Sequence, residues 1–272
     1  FHTKPIKRLG VPAIRMSDGP QGVGHRIETN AYPCGLALAA TWNEKLAYEY
    51  GQSLGRDCRA RGIHIILGPA VNIHRAPMCG RNFEYMGEDP YLTARTTVGY
   101  IKGVQSQKVM ATVKHFLANN SDYDRARISN DIDERTAHEI YFPAFKAAVQ
   151  EAEVGAVMTS YNLVNGIYTN ENPWLLKDVL RKTWGFNGMV VSDWSAAQYS
   201  IPTCNAGMDL EMPGAEKNKP QEIAYYLRTG YVTMDTINER IRHILRVIIG
   251  FGFLDAQQQD KNIPLDNPAS VE

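Results

Sequence analysis

The stretch "GMVVSDW", Gly188–Trp194, decides how the rest of the chain is read. Met189, Val190 and Val191 form a short apolar run bounded by glycine and polar residues, the pattern of a strand buried on both faces. The run ends on Asp193, beside the indole of Trp194. A carboxylate delivered there must be paired or hydrogen-bonded, because burying it bare is costly. Asp193 therefore either caps the following segment or is held for chemistry.

Similar runs recur along the chain. "AIRMSD" (13–18), "LALAA" (36–40), "IHIILG" (63–68), "MATVKHF" (110–116), "GAVMTSY" (155–161) and "GMDLEM" (207–212) are predicted as further short strands. Helical patterns lie between them, over 43–61, 89–107, 133–152, 173–183, 218–229 and 234–249. Thr41 and Asn43 are plausible caps for the first. Alternation of strand and helix predicts parallel βαβ units. One link breaks the pattern: residues 19–35 hold four glycines and two prolines, which oppose a crossover helix. Without that helix the second strand, 36–40, is predicted to return antiparallel. The expected fold is α/β, a (β/α)8-like TIM barrel that is irregular, with one helix missing.

Bulk properties narrow the function classes. With 272 residues, the chain is long enough to bury roughly three quarters of its unfolded surface without a disulfide or metal staple. Lys+Arg and Asp+Glu are equal at 29, so nothing marks a nucleic-acid or anionic-membrane partner. No apolar run approaches the roughly 20 residues of a membrane span. The four cysteines, Cys34, Cys58, Cys79 and Cys204, lack metal-site spacing and are predicted as small buried thiols. No metal or other cofactor is called for. The chain opens on Phe1 rather than Met and without a signal-like segment, which reads as a trimmed start and leaves the compartment open.

Polar residues gather at the predicted strand ends: Asp18, Lys114 with His115, Tyr161 with Asn162, and Asp193 with Trp194, while His64 lies further back. In a barrel such ends converge on the face that carries active sites. Each residue alone has a plainer reading, as a cap, a surface pair or core packing.

At these positions the chain resembles glycoside hydrolase family 3. The resemblance is carried by "SDGPQGV" (17–23), "GPAVNIHRAPMCGRNFEYMGEDPYLT" (68–93), "KHFLANN" (114–120), "MTSYN" (158–162), "VVSDW" (190–194) and "AGMDLEMPG" (206–214), in that order. It implies a barrel domain over residues 1–253, with 254–272 a linker toward a second, α/β sandwich domain in the same or another chain. It further implies retaining hydrolysis of a β-glucoside or oligosaccharide, with Asp193 as the carboxylate that attacks C1 of the sugar. Asp18, Arg81, Lys114 and His115 would bind sugar hydroxyls, the cations and histidine also keeping Asp193 ionised. Tyr161 would orient Asp193, and Trp194 would form an apolar wall. The "KHF" backbone is expected to hold a cis peptide. "SDGP" favours glucose over xylose. Arg75 matches a family arginine with a structural role. Many members place Arg directly after "GV"; here Gly24 and His25 precede Arg26, which carries no catalytic assignment.

Two departures bear on the mechanism. Retention needs a second carboxyl about 5–5.5 Å from the first. The Asp/His pair that follows "KHF" in hexosaminidase-type members is absent from "KHFLANNSDYDRARIS", and the usual glutamate belongs to the sandwich domain. The acid/base is thus expected outside these residues. Asp209 and Glu211, two apart on one strand face, form a rival carboxylate pair whose plainer role is bonding inside the barrel. Glu84 and Glu88–Asp89 are expected to order the long 69–92 loop. Competing readings are a β-N-acetylhexosaminidase, a β-xylosidase, a sugar-binding barrel fragment without turnover, and an aldolase-like barrel using Lys114.

Overall fold

A computed structural model describes residues 1–24, 29–214, 216–266 and 268–270. Arg26 lies outside the described residues. The strands are β1 (Met16–Asp18), β2 (Ile65–Leu67), β3 (Met110–Phe116), β4 (Ser129–Asn130), β5 (Ala156–Thr159), β6 (Leu163–Val164), β7 (Ile167–Tyr168) and β8 (Met189–Val191). The helices are α1 (Gly35–Ala39), α2 (Glu44–Ala60), α3 (Pro90–Ser106), α4 (Glu134–Thr136), α5 (Pro143–Gln150), α6 (Ser200–Ala206), α7 (Pro220–Thr229) and α8 (Met234–Gly250).

Five strands form one sheet in the order β1-β2-β3-β5-β8, every pair parallel. The fold is thus α/β with a parallel sheet. Among the described residues no ladder joins β8 back to β1, so the sheet is open, although a parallel bridge between Val191 and Leu210 extends it beyond β8.

The antiparallel second strand is not found. Residues 36–40 instead lie in and just after the short helix α1, and the chain's next strand, β2, pairs parallel with β1 through Met16–Ile65 and Asp18–Leu67. The physical reason lies in composition: "LALAA" is built of the two best helix formers and has no β-branched residue. The crossover from β1 is completed by α2, whose cap is Asn43, accepting from Leu46 N–H at 3.1 Å.

Period-2 alternation sorts the sheet into two faces. Ile66, Ala111, Val113, Val157 and Val190 pack toward the helices with Leu54, Ile101, Phe145 and Leu180. Met16, Ile65, Leu67, Met110, Ala156, Met158, Met189 and Val191 form the opposite face with Phe253, Val247 and Ile248. Continued outward, that second parity carries Asp18, Lys114 and Asp193. Parallel strands place all three at the same, C-terminal edge.

The helix predicted over 133–152 is interrupted: α4 runs into a π-helical turn, Ala137–Tyr141, before α5 opens on Pro143. Proline has no N–H to continue the ladder, and the widened turn absorbs the break. A second small sheet has the order β4-β6-β7, β6 beginning four residues after β5. Its hairpin turns at Asn165–Gly166, both at positive φ (50° and 80°), the two-residue turn that Asn-Gly favours. The segment predicted as a linker lies along α2: Gln258 donates to Ile63 O at 2.8 Å, Arg61 to Leu265 O at 2.7 Å, and Ser270 to Asp57 at 3.0 Å.

Candidate active site

Asp193 stands two residues past the end of β8 and is 7 % exposed. Its Oδ1 accepts the Trp194 backbone N–H at 2.7 Å. Its Oδ2 is buried and lacks any hydrogen-bond partner among the described residues. Around that oxygen stand His115 Nε2 at 3.4 Å and an Arg81 guanidinium nitrogen at 4.0 Å, with Lys114 and the Tyr161 hydroxyl acting on the same carboxylate. Burial raises the Asp193 pKa above the usual carboxylate range. Lys114, Arg81, the Trp194 amide and Tyr161 oppose that rise without cancelling it. The cations therefore favour the ionised form, as expected from the sequence, but only offset part of the cost of burying it.

Each neighbour is fixed by its own element. Lys114 lies near the end of β3, where Val71 N–H donates to its carbonyl at 2.7 Å and its own N–H donates to Pro69 O at 3.0 Å. The Lys114–His115 peptide is cis, as is Phe116–Leu117, in agreement with the expectation for "KHF". Asn72 grips His115 from the facing loop, accepting its backbone N–H and donating to its carbonyl, both at 2.9 Å. Burial, then Arg81, Lys114 and Arg125, push the His115 pKa well below its ordinary value, so the ring is neutral and its contact with Asp193 is not an ion pair. Arg81 sits in the turn before a short 3-10 helix, Asn82–Glu84, and bonds Glu84. Desolvation works against the Arg81 charge, but Glu84, Tyr85 and Asp193 outweigh it and raise the pKa further.

Tyr161 follows β5, half-buried. Desolvation first, then Asp193, drives its phenol pKa up, so it stays a donor. The Arg125 guanidinium lies 4.2 Å from the centre of its ring and is tied to Asp122 at 3.2 Å. Arg125 went unread in the sequence: it belongs to the 117–128 loop, and no spacing ties that loop to Tyr161. Trp194 is partly buried and stacks on Phe1, centroids 4.5 Å apart.

The predicted residues are thus not all brought together. Arg81, Lys114, His115, Tyr161 and Trp194 contact or act on Asp193. Asp18, at the end of β1, is exposed and makes no side-chain hydrogen bond or ion pair among the described residues. It lines a shallow cavity of about 270 Å³ with Gln21, Gly22 and Asn30. His64 is away from the cluster: its Nδ1 accepts the Arg15 N–H at 3.1 Å, and burial lowers its pKa to about 4. Arg75 is exposed and lies over the Tyr141 ring at 5.9 Å. The rival pair is engaged elsewhere. Asp209 accepts from Arg181 at 2.7 Å, from Val190 N–H at 2.7 Å and contacts His243 at 2.9 Å. Glu211 accepts the N–H groups of Lys217 and Asn218 at 2.7 and 2.8 Å.

A buried carboxylate with one oxygen left without a partner, beside two cations, a phenol and a neutral imidazole at a parallel-sheet edge, suits binding of a polar, hydroxylated substrate. The chain belongs to the family described as Glycosyl hydrolase family 3 N terminal domain, which it matches over residues 2–247. It is 45% identical over 273 residues to a protein named beta-glucosidase from Rhizobium radiobacter, covering 98% of this chain and 33% of that protein. Thermostable beta-glucosidase B of Acetivibrio thermocellus is 40% identical, covering 99% of this chain and 37% of the relative. Among solved structures, beta-glucosidase 3B from Thermotoga neapolitana in complex with alpha-D-glucose superposes with a TM-score of 0.92 at 37% identity, covering 99% of this chain and 40% of that one. The chain thus spans about a third of the length of the curated relatives it matches.

Proposed function

We propose that this chain is the barrel portion of a retaining β-glucosidase, with Asp193 as the nucleophile that forms a covalent glycosyl-enzyme. The observation that carries this reading is the buried Oδ2 of Asp193, left without a hydrogen-bond partner among the described residues, with the neutral His115 ring at 3.4 Å and the Arg81 guanidinium at 4.0 Å. Arg81, Lys114 and His115 bind the hydroxyls of the terminal glucose, Tyr161 holds Asp193 in its attacking orientation, and Trp194 lies against the sugar's C–H face. Arg125 joins them by fixing Tyr161. Asp18 completes this site by binding hydroxyls at its far side once a sugar bridges the gap. The open parallel sheet is the larger part of an irregular barrel, residues 1–253, and 254–272 lead toward the sandwich domain.

The acid/base glutamate belongs to that second domain. Glu84 is bonded to Arg81 and Asp122 to Arg125, so neither is a free acid beside Asp193. Met78, Phe83 and Tyr123, exposed on the loops that carry Arg81 and Arg125, offer apolar surface at the mouth for a covering domain. An acid/base outside these residues would also suit a second reading, a barrel that binds sugar without turnover.

An activated aryl β-glucoside separates the two. A good leaving group needs little acid, so a burst of aryl alcohol is expected from the chain alone. Saturable binding with no burst would favour the second reading.

A further inference from the structure

His115 can carry its single proton on either ring nitrogen, and the two choices give the site opposite chemistry. Asn72 decides between them. Its amide orientation has no ambiguity: the oxygen accepts from a backbone N–H and the nitrogen donates to a backbone carbonyl, both of His115 and both at 2.9 Å. The atom facing His115 Nδ1 at 3.3 Å is therefore an oxygen, which can only accept. A hydrogen bond there requires the proton on Nδ1. The ring is neutral, with Arg81, Lys114 and Arg125 all opposing a second proton. Nε2 is then left with a lone pair. It faces Asp193 Oδ2, another acceptor, at 3.4 Å, and no hydrogen bond joins them. The Tyr85 ring meets His115 nearly edge-on, 73° between planes at 6.2 Å, and Asn72 itself is buried, so neither partner swings freely.

We propose that Asn72 is a positioning residue that fixes His115 as the Nδ1–H tautomer, so that His115 Nε2 and Asp193 Oδ2 form a paired acceptor slot for a hydroxyl donor of the ligand. An alcohol O–H entering the slot relieves the facing lone pairs. A group of the same size that only accepts meets two acceptors and is rejected. The tautomer rests on the Asn72 contacts together with the neutrality of the buried ring; the identity of the donor as a sugar hydroxyl rests on the β-glucosidase reading.

The two halves are tested separately on the 272-residue chain. With the histidines labelled in ¹⁵N, two-bond nitrogen–proton NMR is expected to show His115 protonated at Nδ1 and bare at Nε2 at neutral pH. The signal is assigned by its loss in His115→Gln. Protonation at Nε2, or at both nitrogens, overturns the proposal. Asn72→Asp keeps an acceptor and is expected to keep Nδ1 protonated, whereas Asn72→Leu removes it and releases Nε2–H. An unchanged tautomer in folded Asn72→Leu overturns the role of Asn72. Glucose is then titrated in and is expected to shift the Nε2 signal. At least one deoxyfluoro glucose, whose fluorine accepts but cannot donate, is expected to bind about tenfold more weakly and to leave that signal unmoved. Glucose binding with a still Nε2 signal overturns the donor slot. Failure to bind glucose at all, with the Nδ1–H tautomer observed, instead overturns the sugar reading and the donor half with it.

Discussion

Asp193 holds a charge where burial disfavours it, and its raised pKa states that cost. A carboxyl with a higher pKa folded than unfolded binds its proton more readily when folded, so stability falls as pH rises through that interval. Asp193→Asn removes the buried charge while keeping shape. It is expected to raise the melting temperature at pH 7, by about 2–4 °C for each kcal/mol relieved, and to slow glycosyl-enzyme formation by about 10⁴-fold or more. Calorimetry and burst kinetics on one preparation check both signs. His64 works the other way. Its pKa of about 4 lies below the unfolded value near 6.5, so the unfolded chain takes the proton first and stability is lost as pH falls through that window. His64→Asn, whose side-chain oxygen can still accept the Arg15 N–H, is expected to flatten the fall in urea midpoint between pH 7 and pH 4.5. An equal slope in variant and parent would remove His64 as the cause. At this scale Asp193, Arg81, Lys114, His115 and Tyr161 were readable because each stands in a distinctive motif. Asn72 shares a motif with Arg81 yet drew no reading, because it acts through the backbone of a residue 43 positions away; Arg125 lies outside the motifs and meets the Tyr161 ring 4.2 Å away across a loop.

Among the elements, α2 and α3 pack unusually close. A Cβ on Gly103 would stand 2.1 Å from Tyr48 O, and one on Gly51 would stand 2.3 Å from Tyr100 O. In a free helix Gly→Ala is a gain of about 1 kcal/mol. Here the contact is backbone, which cannot step aside as a side chain would. Gly103→Ala is therefore expected to destabilise, by about 1–3 kcal/mol in urea unfolding. A stabilised variant would show that the helices are not in this contact. The long elements were legible because periodicity accumulates over their length: 43–61 and 89–107 correspond to α2 and α3. Short ones were not. "LALAA" was too brief for periodicity to tell strand from helix, and only its Leu/Ala composition pointed to α1. The hairpin of β6 and β7 went unread although "VNGIY" carries its Asn-Gly turn, because two-residue strands leave no alternation to count.

For the molecule as a whole, the parallel α/β arrangement followed from the strand–helix alternation, while the antiparallel return followed from a missing helix and did not hold. A glycine-rich link excludes a helix locally but says nothing of the element that completes the crossover further on, here α2. If the acid/base lies outside these residues, the chain alone is expected to turn over cellobiose at least about 100-fold more slowly than an activated aryl glucoside, since its poor leaving group needs the acid. Comparable rates on the two substrates would place an acid within the 272 residues. The most direct test concerns Asp193 itself. The chain is treated with an activated 2-deoxy-2-fluoroglucoside, digested and mapped by mass spectrometry. One added fluoroglucosyl group is expected, on the peptide containing Asp193; a label on Asp209, Glu211 or Glu84 would contradict Asp193 as the nucleophile.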